Sequence, residues 1–188
     1  MSETEVRERV ARAAEGLYYA KGYAAVGMDE LRSAAGVSLR KLYTLFPSKN
    51  AVVAEVLDRK HAEWERGLSN RVSRAAPDAR SRLLAVFDYL DGWFRDPSFH
   101  GCAFINAFGE LSGTDASVAQ IVHDHKASFQ TYMAALVGDA GGTPMLAAQL
   151  SILAEGAQST AAISGDPAAA RQARAAAEVL IAHALGTD

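Results

Sequence analysis

Cysteine is nearly missing from this chain. Its 188 residues include a single one, Cys102. That excludes an intrachain disulfide and any cysteine-built zinc cluster within one chain, and a reducing compartment is the expected setting. Proline is scarce, at 5, and the 15 glycines show no period, which excludes collagen-like and Pro-rich disordered chains. No stretch approaches the roughly 18 consecutive apolar residues of a membrane span. The opening MSETEVRERV has no apolar signal core. A soluble, cytoplasmic protein with no membrane partner is expected. Catalytic signatures are absent as well: no GxSxG, HExxH, Walker A or strand-flanked GxGxxG occurs. The GDAGGTP loop lacks the Lys-Ser/Thr of a phosphate cradle. His123 and His125 are two apart on a helix, so they face different sides and do not share a metal. No enzyme, cofactor or metal is expected.

What is present is helix. With 49% hydrophobic and 22% charged residues, the chain is long enough to bury a core without staples. Val6, Val10, Ala13, Ala14, Leu17 and Tyr18 recur at steps of three and four, and Gly22 ends that helix. Met28 to Ala35 reads as a short helix with Asp29 and Glu30 in its first turn, where the helix dipole favours acids. Gly36 breaks it. Ser38 is placed to cap a third helix, which Pro47 stops near Phe46. Ser48 opens a long fourth one. Further helical stripes follow Pro77, surround Gly101 to Leu111, begin near Thr114 as cap, open at Thr143-Pro144, and open again at Asp166-Pro167. This predicts an all-α fold of about nine helices: a domain over 1–49 and a larger helical domain over 50–188. No strand alternation bounded by hairpin turns is visible.

Charge is unevenly spread. Residues 1–49 hold eight Lys/Arg against six acids, and the rest hold eleven against sixteen. A basic excess at one end is a hint of nucleic acid. It coincides with the sharpest pattern in the chain. Two short helices meet at Ala35-Gly36-Val37, where a tight turn needs positive φ and Gly36 supplies it. Leu31, Ala35, Val37, Leu42 and Leu45 are placed to face inward. Leu39, Arg40, Lys41 and Thr44 are left on the outer face, at the end of a recognition helix that reaches base edges. Arg40 or Lys41 can donate to guanine O6 and N7, and Leu39 can touch a thymine methyl. Ser38, Tyr43 and Lys49 are placed for phosphates. Geometry alone leaves open an ordinary solvated corner between core helices.

The stretch AKGYAAVGMDELRSAAGVSLRKLYTLFPSKNAVVAEVL, residues 20–57, resembles the DNA-binding domain of the tetracycline-repressor (TetR) family. The resemblance is carried by Lys21-Gly22-Tyr23, Leu31, Ala35-Gly36-Val37-Ser38, Leu42-Tyr43 and Phe46-Pro47-Ser48-Lys49. It implies a homodimeric repressor on a palindromic double-stranded operator, with a ligand pocket in the C-terminal domain. It also implies a phosphate contact at the start of the second helix, through which Gly27, Met28 and Arg32 join the expected DNA-contacting set. Val26 and Gly27 depart from the family, which usually has Thr followed by Ser or Thr there. Lys41 replaces a residue that is commonly small or Thr.

Beyond residue 50 the chain matches that family only in length and helical character. A small apolar effector is the expected partner there. The candidate pocket residues are His61, Trp64, Phe87, Leu90, Trp93, Phe94, Cys102, Phe104, Ile105, Phe108, Val122, His125, Phe129 and Met133; singly, each also suits a packed core. Cys102, near a helix start, is a candidate thiol sensor or a small buried hydrophobe. The last two helices carry small faces. Leu150, Leu153, Ala154 and Ala157, with Ala173, Ala177, Leu180 and Ile181, are expected to build an isologous four-helix dimer interface; the other use for them is packing within the chain. Two alternative functions stay open: a helical protein–protein adaptor, and a small-molecule-binding protein without DNA.

Overall fold

The computed structural model describes residues 2–186. Among them are nine α-helices and no strand: α1 (Glu3–Lys21), α2 (Met28–Ala35), α3 (Leu39–Leu45), α4 (Lys49–Ser73), α5 (Ala79–Phe94), α6 (Ala103–Leu111), α7 (Ala116–Asp139), α8 (Pro144–Ser164) and α9 (Ala168–Leu185). The all-α expectation holds, element by element.

The caps explain most boundaries. Ser2 and Glu5 form a reciprocal capping box at α1. Gly36 ends α2 with φ 61°, ψ 41°, the left-handed conformation that its lack of a Cβ permits. Ser38 Oγ accepts the Lys41 N–H at 3.2 Å and opens α3. Thr143 caps α8, with Pro144 at the first helical position. One cap differs from expectation. Asp115, not Thr114, opens α7: its carboxylate accepts the N–H groups of Ser117 and Val118. Thr114 Oγ1 instead donates back to the Leu111 carbonyl at the end of α6.

The chain divides into two compact units. The first gathers everything through Ala62 together with Ala103–Asp124, so α6 and the start of α7 belong with α1–α3. Here α1 packs on α2 and α2 on α3. Val10, Ala14, Val26, Leu31 and Leu42 are fully buried. The second unit gathers Glu63–Cys102 and the chain from His125 on. Its core joins Phe87 and Leu90 of α5, Phe129 and Met133 of α7, Leu146, Leu150 and Ala154 of α8, and Ala177 and Ile181 of α9. Burying each Leu or Phe there contributes about 1.5–3 kcal/mol. The expected boundary at residue 49 coincides with the start of α4, and α4 itself contributes to both units.

Candidate functional site

The first unit presents a helix-turn-helix. Leu42 and Leu45 point inward from α3. Their burial turns the other side of this two-turn helix outward, since residues 100° apart divide the faces. Leu39 is 38% and Tyr43 48% exposed; Arg40 and Thr44 are exposed and Lys41 is half-buried. Arg40 and Lys41 make no ion pair among the described residues. Their charges are therefore available on this face. The Thr44 hydroxyl donates to the Arg40 carbonyl at 2.9 Å, so it is already satisfied within the helix.

Around α3 the other expected contacts sort themselves. Gly27 is the N-cap of α2 and no side chain caps that helix. Its first-turn N–H groups, which have no partner within the helix, are donors for an anion. Met28 is half-buried. Arg32 is paired with Asp29 at 2.8 Å, one turn away on α2. Lys49, expected at a phosphate, instead sends its ammonium to the Ala24 carbonyl at 2.9 Å. Its pKa is pushed down by burial and partly restored by the Glu110 charge.

One residue that sequence reasoning passed over holds α3 in place. Arg7 of α1 donates to the Leu45 carbonyl at 2.8 Å and to Glu55 of α4 at 2.8 Å. Its guanidinium lies 4.4 Å from the centroid of the Phe46 ring. A cation is thereby set at the C-terminal end of α3, where the last carbonyls lack partners. No sequence signal marks it, because the Arg7–Leu45 contact spans 38 residues.

In the second unit, a groove of about 550 Å³ runs between α4 and α7. Trp64, Leu68, Tyr132 and Ala135 supply its apolar lining, with Glu65, Ser69, Ser128 and Thr131 beside them. Ser128 donates to Glu65 at 2.8 Å, joining the two walls. Trp64 is fixed by edge-on contacts with Tyr89, His125 and Phe129 at 6.4, 5.3 and 5.1 Å between ring centres. The size is within the range of small-molecule sites.

The expected pocket residues are divided between the two units. Phe87, Leu90, Phe94, Phe129 and Met133 are buried in the core of the second unit. Trp64 lines the groove just described, and Trp93 lines a second, more polar cleft with Arg71, Asp88 and Asp91. His125 is buried against Trp64. His61, Phe104, Ile105, Phe108 and Val122 belong to the first unit, where Phe108 stands half exposed. Cys102 is buried, with the Lys126 ammonium 3.7 Å from its sulfur; Lys126 is also paired with Glu155. No group of His, Cys, Asp and Glu among the described residues is placed to hold a metal ion.

Comparison with known proteins joins the two units. The family model "Bacterial regulatory proteins, tetR family" matches residues 11–56, and "Tetracyclin repressor-like, C-terminal domain" matches residues 79–177. The chain belongs to the TetR family of bacterial transcriptional regulators. A TetR-family regulator from Streptomyces coelicolor is similar across the whole chain, with a TM-score of 0.85, 26% identity and 97% of each chain covered. The repressor NemR of Escherichia coli K12 is 25% identical over 111 residues, 58% of this chain. That match spans 56% of NemR, so the chain covers little more than half of this curated relative's length. The activator FasR of Mycolicibacterium smegmatis is 35% identical over 91 residues, 46% of this chain and 41% of FasR.

This TetR-family chain also corrects the expected dimer face. Leu150, Ala154, Ala157, Ala173, Ala177 and Ile181 are all buried inside the single chain, where α8 packs on α9 and both pack on α5. Leu153 and Leu180 are half-buried against the same core. The outward stripes are different ones: Met145, Ile152 and Ile163 on α8, and Val179 on α9, each at least two-thirds exposed. No helix among the described residues is long and apolar enough to cross a membrane.

Proposed function

We propose that this protein is a DNA-binding transcriptional repressor that grips a palindromic operator as a homodimer and leaves it when a small apolar molecule binds. The observation that carries the reading is the outer face of α3, where Leu39, Arg40 and Tyr43 stand exposed beside a Ser38-capped helix start. Each α3 enters a major groove, with Arg40 donating to a guanine edge and Leu39 meeting a thymine methyl. The uncapped N-terminus of α2 and the Tyr43 hydroxyl take phosphates. Lys41 adds a cation whose binding displaces a counterion. Half-sites lie about one helical turn apart, 34–36 Å, or slightly more.

The outward apolar stripes of α8 and α9 support pairing of two chains by these helices. The α4–α7 groove is the effector site this reading assigns. A ligand that prefers the conformer unsuited to DNA lowers operator affinity by its differential affinity for the two conformers, and by no more. The repressor direction is supported by the name of NemR, whose match of 111 residues is longer than the 91 of FasR; activation, the role in FasR's name, is an outcome that a reporter assay distinguishes.

The deciding experiment selects bound fragments from a random DNA pool and then compares variants on the selected site. Arg40→Ala should weaken binding by about 1–3 kcal/mol and relax the preference at one base pair. Lys41→Ala should reduce the salt slope by about one if it meets a phosphate. Selection returning no sequence preference, or Arg40→Ala and Tyr43→Ala both retaining full affinity and specificity, refutes the assigned face.

A further inference from the structure

The α6–α7 corner holds the reading head at two points, both within the first unit. Glu110, in the last turn of α6, accepts the Ala24 N–H at 2.7 Å. Ala24 lies in the turn between α1 and α2, and its carbonyl is the one that Lys49 takes. Both polar groups of one turn residue are thus engaged, the N–H by an acid from α6 and the carbonyl by a cation from α4. The Glu110 carboxylate also sits so close over Gly22 that a Cβ there would stand 2.9 Å from its oxygen. Gly22 is at φ 85° besides, so glycine suits that position on two counts. The second point is Asp115. While it caps α7, it accepts the side-chain amide of Asn50, in the first turn of α4. That bond is partly buried.

These two elements flank the DNA-contacting pair. Ala24 is three residues before Gly27, the uncapped start of α2, and Asn50 follows Lys49. We propose that Glu110 and Asp115 form a clamp by which the α6–α7 corner sets the position of the α2 N-terminus and the start of α4, and through them operator affinity. Glu110 is a positioning residue here and touches no DNA. The proposal rests on the DNA-binding reading above and adds to it the place where a shift of α6 or α7 reaches the reading head.

The test uses the full chain as wild type, Glu110→Ala, Glu110→Gln and Asn50→Ala. Amide hydrogen exchange is followed at Ala24, Gly27 and Met28, and affinity for the selected operator is measured across a salt series. In Glu110→Ala the three amides should exchange faster and the operator should bind about fivefold more weakly, the net worth of one hydrogen bond. The salt slope should not move, because no phosphate contact is lost. Glu110→Gln keeps an oxygen for the Ala24 N–H and should recover both readouts, which a general loss of stability does not explain. Asn50→Ala, which opens the other point, should weaken binding in the same way. Wild-type behaviour of Glu110→Ala, or a Gln variant as impaired as the Ala one, overturns the clamp. Should selection return no operator, the DNA-binding reading fails while the exchange rates still decide whether Glu110 holds the turn.

Discussion

Replacing Arg7 tests how firmly α3 is held, because its side chain makes three contacts at the end of that helix and on α4. Its hydrogen bond to the Leu45 carbonyl is worth about 1 kcal/mol net. The half-exposed pair with Glu55 adds about 0.2–1 kcal/mol, and the guanidinium over Phe46 about 0.5–1 kcal/mol. These overlap, so we set the whole loss for Arg7→Ala at about 2 kcal/mol, roughly 30-fold in the opening equilibrium of α3. Arg7→Lys keeps the charge but not the planar fork that reaches Leu45 and Glu55 together, and should lose about half of that. Native-state exchange of the Leu42 and Phe46 amides reads this local opening directly; both donate within the α3 ladder or its cap. Operator affinity should fall in parallel, since a helix that opens is not preorganised for the groove. A change below about 0.5 kcal/mol for Arg7→Ala, the ordinary range of surface substitutions, would refute the claim that Arg7 anchors the reading helix.

Two further outcomes follow from the second unit. Ile152→Glu with Val179→Glu should convert a micromolar dimer to monomer in sedimentation. Each chain would bring unpaired carboxylates to an isologous contact, costing about 2 kcal/mol per side and roughly a thousandfold in dissociation constant; an intact dimer would move the interface elsewhere. Asp91 accepts from Arg95 and Arg171, and its carboxyl is held below the usual range, first by the Arg95 hydrogen bond and against a smaller pull from burial. A depressed folded pKa gives stability that is present above the unfolded value of about 3.9 and lost as pH falls through the folded one. Asp91→Asn should therefore flatten the fall in urea midpoint of the second unit below about pH 4, and an unchanged slope would assign that fall to other carboxylates.

How much of this was legible in the sequence depends on the distance over which each signal acts. Gly36, Ser38 and Pro47 act on their own turns, and α2 and α3 begin and end where those residues direct. The contacts that complete the reading head act across the chain: Arg7 reaches 38 residues to Leu45, Asn50 reaches 65 to Asp115, and Ala24 reaches 86 to Glu110. No local period encodes them, and this is why α6 read as part of the larger domain although it is grouped with α1–α3. High ring content after Pro77 points to a pocket and to a core alike, since a large apolar ring buries as much area against a neighbour as against a ligand. Phe87 and Phe129 are core.

The last two helices show the sharpest form of the problem. In α8 the series Leu150, Ala154, Ala157, Ala161 and the series Met145, Ile152, Ile163 both advance by about whole turns, so the helix is apolar on two sides and carries two candidate seams. Periodicity identifies a seam but not its occupant. Small residues favour close approach by any helix, and α9 follows α8 after a short loop, so it reaches the alanine-rich seam at a far higher effective concentration than a second molecule does. Loop closure of that length costs little, whereas association of two chains loses several kcal/mol of translational and rotational freedom. The chain's own α9 therefore takes the tighter seam, and the bulkier Ile152 and Ile163 side is the one left for a partner.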